Sequence, residues 1–240
     1  MKEKSIKGAE SMSMVDSYKM IPHELSGSVS KNRFRLELLW GISKMFDLYD
    51  QPTFTVVFDY KCDIEVHLPD SFEFYQIKSH KIAKPYTFTR ISNRGKGDKA
   101  SIIGKLFLLR CSVNGEVDVK LAIVSNAFFS IDGKVQADDE ILPLAGIDEK
   151  SRKVICNALQ KEFPEANIDL SGIHYIYTSM DLIHPEETVK GQIASFFEKI
   201  KGCEPIKLNA LYRLIKETAE SKACYELAST EYEDARVSVD

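Results

Sequence analysis

The chain has 240 residues, 44% hydrophobic and 28% charged, with 32 Lys and Arg against 36 Asp and Glu for a net charge of −4. That length buries a substantial core, in one large domain or in one domain with an appendage. No apolar run approaches the ~20 residues that cross a bilayer, the charged start MKEKSIKGAESMSMVDSYK lacks the apolar stretch of a secretory signal, and five scattered cysteines (62, 111, 156, 203, 224) without a C-x-x-C pair fit reduced cytoplasmic thiols better than disulfides or a structural zinc.

Residues 1–24 read as a polar, flexible lead-in. A loop over 22–30, PHELSGSVS, enters a helix that Ser28 or Ser30 caps. The helix spans about 31–47 and carries Phe34, Leu38, Ile42, Met45 and Phe46 as its apolar stripe. Glu37 sits at the edge of that stripe, with Gly41 one turn on. It is either a carboxylate with room for a ligand beside the glycine, or a surface glutamate paired with Arg33.

Three strands follow within TFTVVFDYKCDIEVHLPDSFEFYQIKSHK, residues 53–81. Alternation puts Ile64, Val66 and Leu68 on one face and Asp63, Glu65 and His67 on the other. Over 72–80, Phe72, Phe74, Gln76, Lys78 and His80 share a face opposite Tyr75 and Ile77. Apolar groups on both faces predict a strand covered on both sides. An amide and an ammonium two residues apart on such a strand are costly unless partnered, which marks the stretch as a site. Pro69-Asp70-Ser71 is turn chemistry, so the second and third strands form an antiparallel hairpin. That pairing brings Asp63 near Gln76 and Lys78. Asp59 ends the first strand, as a further acidic candidate or as a turn residue. Glu65 and Glu73 read as solvated or edge carboxylates.

Residues 82–97 read as a loop, most flexible at Asn93-Arg94-Gly95-Lys96-Gly97. From 78 to 105 the basic residues are Lys78, Lys81, Lys84, Arg90, Arg94, Lys96, Lys99 and Lys105, against the single acid Asp98. This strip, with Tyr86 and Phe88 interleaved, suits contact with a phosphate backbone; the alternative is a solvated basic loop. By contrast, 217–240 is acid-rich, with only Lys222 and Arg236 basic.

A second helix covers about 100–111, with Lys99, Lys105 and Arg110 as basic positions. A strand within 117–129 ends in the polar corner Ser125-Asn126. Residues 130–147 read as a long connection, 150–162 as a helix and 173–180 as a strand. His174 there is a core or edge histidine rather than a ligand, since no partner lies at metal spacing. Helices follow over 188–201, with Val189, Ile193, Phe196, Phe197 and Ile200 on one face, and over about 207–232. Nothing in the final residues reads as a closing core element. The order predicts an α/β or α+β fold with a central mixed sheet. The domain reading is a lead-in over 1–24, a catalytic domain over 25–204, and a helix over 205–240 leading to a linker, sensor or partner contact.

Oxygen donors beside a lysine and a basic strip suit metal-assisted phosphodiester hydrolysis. Magnesium takes oxygen ligands and keeps several waters. Asp63 would bind it through a carboxylate, Gln76 through its side-chain carbonyl, and Ile77 through its backbone carbonyl. Glu37 would hold a water on the ion or a second ion. Lys78 would orient or deprotonate the attacking water, or neutralise the phosphorane.

Asp63 followed by Gln76-Ile77-Lys78, after a helix bearing Glu37, resembles the PD-(D/E)xK motif of restriction-endonuclease-like nucleases, in the variant where Gln replaces the second acid. More narrowly, Phe34-Arg35-Leu36-Glu37, Asp59 and Asp63, Tyr75-Gln76-Ile77-Lys78, the segment 101–106 and Val124-Ser125-Asn126 are similar to effector nuclease domains of bacterial anti-phage systems. These include CBASS effectors with a SAVED sensor, Lamassu nuclease subunits and Avs-type STAND proteins. The resemblance covers roughly 25–200. It implies a restriction-endonuclease-like sheet and a Mg²⁺-dependent endonuclease, with Mn²⁺ able to substitute, that cuts double-stranded DNA with little sequence preference. It also implies activation by a sensor domain or partner subunit, and oligomerisation so that both strands are cut. Asp59, Asp63, Gln76, Ile77 and Glu37 would be the metal group, and Lys81, Lys84, Arg90, Arg94, Lys96 and Lys99 the DNA contacts. Two departures stand out: Glu37 occupies a place where some relatives carry Gln, and no sensor is evident. The alternatives are an inactive DNA-binding or scaffold domain of the same fold, and a nuclease acting on RNA or single strands.

Overall fold

The computed structural model describes residues 25–81, 84–95, 97, 99–113, 117–136, 140–180, 182–223 and 236–239. A long helix α1 (Ser26–Asp47) leads into β1 (Phe54–Phe58), β2 (Ile64–Leu68) and β3 (Ser71–Lys78). A short α2 (Phe88–Ser92) and then α3 (Ile102–Ser112) lead to β4 (Asp118–Ser125). Next come β5 (Phe129–Ile131), β6 (Lys134–Gln136), β7 (Ile141–Pro143), α4 (Glu149–Glu162) and β8 (Ile173–Tyr177). The chain ends with α5 (Pro185–Lys201), α6 (Leu208–Ala223) and β9 (Arg236–Val239).

The main sheet runs β7-β8-β4-β3-β2-β1-β9, and β5-β6 form a separate pair. β3 pairs with β4 in parallel and β4 with β8 in parallel; the remaining pairs of the main sheet are antiparallel. This is the expected mixed α/β sheet flanked by helices, an architecture consistent with a restriction-endonuclease-like fold. The β2–β3 hairpin forms as the turn chemistry requires, with Ile64 opposite Tyr75 and Leu68 opposite Ser71.

Alternation along β3 builds two cores. Tyr75 and Ile77 join Val56, Ile64, Val66 and Val124 beneath α1, α5 and α6. Phe74 joins Leu121, Ile123, Ile173 and Tyr175 beneath α2, α3 and α4. A sheet covered on both faces explains why its central strands read as nearly continuous apolar runs. Tyr75 anchors the first core, its ring 4.9 Å from that of Trp40.

Several expectations are corrected. α1 starts at Ser26, its N-terminal flank is Leu25 without a side-chain cap, and Ser28 instead donates to the Leu25 carbonyl at 3.0 Å. No proline interrupts 26–30, and one glycine costs too little to stop a helix that has nucleated downstream. The buried set on α1 is Leu36, Leu38, Leu39, Trp40, Gly41 and Ile42 rather than one narrow stripe, because the helix packs on the sheet and also on α5 and α6. Gly41 makes no room for a ligand. A Cβ there would lie 2.5 Å from the Phe58 ring and 2.6 Å from Ile64 Cδ1, so the glycine lets the helix press onto β1 and β2.

The stretch 130–147 is not a bare connection. It contains the β5–β6 hairpin, whose two-residue loop Asp132-Gly133 has both φ angles positive at 47° and 79°, the geometry Asp-Gly supplies best. β7 then adds to the sheet edge. The loop over 82–97 holds α2, and Tyr86 and Phe88 are buried at 2% and 9% exposure against Phe129 and Tyr175 rather than offered to a ligand. α6 packs on α1, α5 and β1, with Ala219 in the first core. β9 pairs antiparallel with β1, so the final residues do close the sheet. The expected lead-in over 1–24, and the part of the last predicted helix beyond 223, lie outside the described residues.

Gly41→Ala forces a methyl into the Phe58–Ile64 contact. Overpacking of this kind costs about 1–3 kcal/mol. The expected outcome is a lower urea midpoint with an unchanged m-value, read by circular dichroism; an unchanged midpoint would mean that α1 does not press on β1 as described.

Candidate active site

The site lies where the parallel strands β3 and β4 end, the position at which open α/β sheets expose ligand-binding groups. Asp63 immediately precedes β2. It stands beside Gln76, since the next pair in the ladder is Ile64 with Tyr75. Its Oδ2 accepts the Ile77 N–H at 2.6 Å and lies 3.6 Å from Lys78 Nζ. Lys78 Nζ also donates to the Ile77 carbonyl at 2.9 Å. An ammonium therefore bridges the carboxylate and the carbonyl that sequence singled out as ligands. Gln76, 7% exposed, completes the group.

Asp59 is a turn residue that also lines the cleft described below. It closes β1 in a left-handed conformation, φ 50°, which aspartate tolerates better than most residues. Its N–H donates to the Asp63 carbonyl at 3.0 Å, fixing the loop between them. That loop is also tied by Lys61 N–H donating to Glu65 Oε1 at 2.6 Å. Glu65 is thus corrected from a solvated residue to a 2% exposed one that also meets His67 Nε2 at 3.1 Å. Glu73 is likewise no solvated or edge residue. It takes the Tyr75 hydroxyl at 2.5 Å and lies 3.4 Å from Lys44 and 3.5 Å from Lys120. Those lysines and that hydroxyl offset its burial and hold its carboxyl below the usual range.

Asp59, Asp63, Gln76 and Lys78 line an open cleft of about 500 Å³ together with Tyr60, Lys61, Lys105 and apolar residues of α3. Tyr60 and Lys61 are not singled out by sequence as cleft residues, and Lys105 reads there as a basic position of the strip and of the second helix. Glu37 is not on the cleft wall. It approaches from α1, on the other side of the sheet, and is still within electrostatic reach of Asp63, Lys78 and Asp59. Burial, then Asp63, push its carboxyl from an ordinary 4.5 up to about 7, with Lys78 and Arg33 opposing. Burial and Asp63 also raise Asp59. Asp59 adds a smaller push on Glu37.

This donor set bears directly on a metal. Among the described residues no three His, Cys, Asp or Glu side chains gather closely enough to encage an ion, so a site built wholly from carboxylates does not fit. A magnesium ion that keeps most of its waters needs few protein oxygens. Asp63 Oδ2 and the Ile77 carbonyl already flank a cation, the Lys78 ammonium. The residues fit a hydrated hard cation.

The expected DNA-contact residues divide. Lys81, Lys84, Arg90, Arg94 and Lys99 are exposed; Lys96 lies outside the described residues. Arg110 is structural, donating to the carbonyls of Asp169, Ser171 and Val119. His174 is a partly buried strand residue whose backbone pairs with Ala122 and Pro143. Cys62, Cys111, Cys156 and Cys203 are free thiols. No helix among the described residues is long and apolar enough to cross a membrane.

A carboxyl whose pKa is raised on folding holds its proton more tightly in the folded chain. The stability this contributes is fully present below pH 4.5 and is lost as pH rises through about 7. Glu37→Gln removes the ionisation. In EDTA the variant is expected to match the parent near pH 4.5 and to be about 1–2 kcal/mol more stable at pH 8, allowing for partial solvent screening. Urea titrations across this range check it; a difference that does not grow with pH would show that Glu37 is not buried among the acids.

No match was found among curated proteins or among solved structures. The family model for the Cap4 dsDNA endonuclease domain matches residues 25–223, from α1 through α6. The chain therefore belongs to the Cap4 dsDNA endonuclease domain family, a defence-associated family of DNA endonucleases.

Proposed function

We propose that the chain is a metal-dependent endonuclease of the PD-(D/E)xK type, cutting both strands of duplex DNA with little sequence preference, and that Lys78, Asp63, Gln76 and Glu37 are its working residues. The observation that carries this reading is the Lys78 ammonium lodged between Asp63 Oδ2 and the Ile77 carbonyl at the mouth of an open cleft. Asp63, the side-chain carbonyl of Gln76 and the Ile77 carbonyl would hold Mg²⁺, with Mn²⁺ as a substitute. Asp59 lies at the rim, where it can orient a water. An ion bound there supplies Lewis acidity, activating water and offsetting charge on the phosphoryl oxygens.

The remaining work falls to the protein. Lys78, part-exposed and fixed by two oxygen contacts, faces the scissile phosphate and neutralises charge that grows in the transition state. Glu37, reaching the acids from α1 with its carboxyl near 7, would hold a water on the ion or a second ion. Lys81, Lys84, Arg90, Arg94 and Lys99 carry the DNA backbone past the cleft. One such site cuts one strand, so two copies act on a duplex. Restraint by a sensor domain or partner subunit, as in bacterial anti-phage defence, would keep such an activity from the cell's own DNA.

Linear and supercoiled duplex DNA incubated with the protein and Mg²⁺, at concentrations high enough to favour assembly, test the reading. The parent is expected to cleave both, EDTA to abolish cleavage, and Lys78→Ala to lower the rate by at least about 10²-fold. Equal cleavage by the variant would misplace the site. Preference for RNA or single strands would change the substrate class. Duplex binding without cleavage by the parent would favour an inactive DNA-binding domain.

A further inference from the structure

Beyond Lys78 the chain leaves β3, and its conformation is dictated by two side chains at the end of β4. Ser125 Oγ donates to the Lys78 carbonyl at 2.6 Å. Asn126 holds both polar groups of the His80 main chain: its Oδ1 accepts the His80 N–H at 2.9 Å and its Nδ2 donates to the His80 carbonyl at 3.0 Å. The parallel ladder stops at Lys78–Ser125, and these side chains extend it by two residues. His80 is therefore placed as firmly as a strand residue, about 6.6 Å beyond Lys78 by strand rise. That offset is comparable to the separation of consecutive phosphates along one DNA strand.

The His80 ring is fixed as well. It meets the buried Tyr86 ring edge-on with centroids 4.7 Å apart, and Arg90 lies over the same ring at 4.6 Å. Arg90 NH2 is 3.4 Å from His80 Nδ1. A guanidinium only donates, so Nδ1 accepts and the ring proton sits on Nε2. The imidazole is thus neutral and acts as an acceptor that pins Arg90. Burial, followed by the charges of Arg90 and Arg33, lowers its pKa, in keeping with this state. Nε2 is buried and has no hydrogen-bond partner among the described residues. Arg33, on α1, stands within electrostatic reach of His80, Tyr86 and Glu37, so a second guanidinium flanks the group. Stacking and one hydrogen bond leave most of the exposed Arg90 fork unused. A guanidinium held this way is pre-organised for an oxyanion.

We propose that Arg90, stacked on Tyr86 and pinned by His80, forms a subsite for the DNA phosphate next to the one at Lys78, and that His80 is its positioning residue. The proposal rests on the nuclease reading above, since it names where that substrate's backbone is gripped. It distinguishes Arg90 from the other exposed cations of the basic strip, because its guanidinium is held by both an aromatic ring and a fixed imidazole.

The test measures binding of a 20-base-pair duplex by fluorescence anisotropy in EDTA, over a range of salt, on the Lys78→Ala background so that nothing is cut. Arg90→Ala is expected to weaken binding about tenfold and to reduce the salt slope by about one phosphate contact. His80→Ala removes no charge, yet is expected to reduce the slope by a similar amount, because Arg90 is released. The double variant should bind no worse than Arg90→Ala alone, the signature of two residues acting as one unit. Arg90→Lys keeps the charge but not the stacked fork, and should recover only part of the affinity. Urea midpoints check that each variant is folded. A normal salt slope in folded His80→Ala, or additive losses in the double variant, would overturn the subsite while leaving the nuclease reading intact. Absence of duplex binding by the Lys78→Ala parent would overturn both.

Discussion

The site depends on the position of β3. This strand is hydrogen-bonded on one side to β2 in an antiparallel hairpin and on the other to β4 in parallel. The hairpin sets Asp63 against Gln76 and Ile77, because the two-fold side-chain period leaves one register once Ile64, Val66, Tyr75 and Ile77 must all enter the same core. The parallel partner brings Ser125 and Asn126 to the same end. Lys78 thus emerges where three strands present polar groups together, and its ammonium finds Asp63 and a carbonyl within reach.

Charge is handled in two ways around this strand. Glu73 and Glu65 are answered locally, the first by two lysines and a tyrosine hydroxyl and the second by a backbone N–H and a histidine. A buried carboxylate with such partners is a structural device. Glu37 is handled differently, since burial is what raises its carboxyl most. Asp63 and Asp59 add to that burial, Lys78 and Arg33 oppose it, and the carboxyl reaches about 7. A carboxyl raised by burial and by neighbouring acids is more often a mark of function than of stability.

Much of this was legible from residue order. The alternation in 63–80 gave the strands, their faces and the hairpin, and Pro69-Asp70-Ser71 gave the turn. The prediction that Asp63 nears Gln76 and Lys78 needs only the ladder rule. Other features were visible but underused. Asp132-Gly133 is a strong hairpin signal that a long-connection reading passed over. Glu37 and Gly41 were read together as ligand space, whereas the glycine serves helix–sheet packing and the glutamate reaches the acids from the opposite layer. A helical wheel shows which residues share a face of one helix. It does not show that α5 and α6 bury a second face.

The sequence by itself determined the mixed sheet, the motif strand with its Gln-x-Lys pair, and the basic strip, because each is written in short-range periodicity or local composition. The tertiary structure alone decided which polar groups are solvated. Glu65 and Glu73 look like surface residues by alternation, and Tyr86 and Phe88 like exposed aromatics in a basic loop. The fate of Glu73, Tyr86 and Phe88 depends on Lys44, Lys120, Phe129 and Tyr175, in elements distant in the sequence. The same holds for β9, which joins β1 across nearly the whole chain, and for the grip of Ser125 and Asn126 on the residues after Lys78. Such contacts carry no local signature, because the partner is chosen by how two distant segments pack rather than by the pattern of either one.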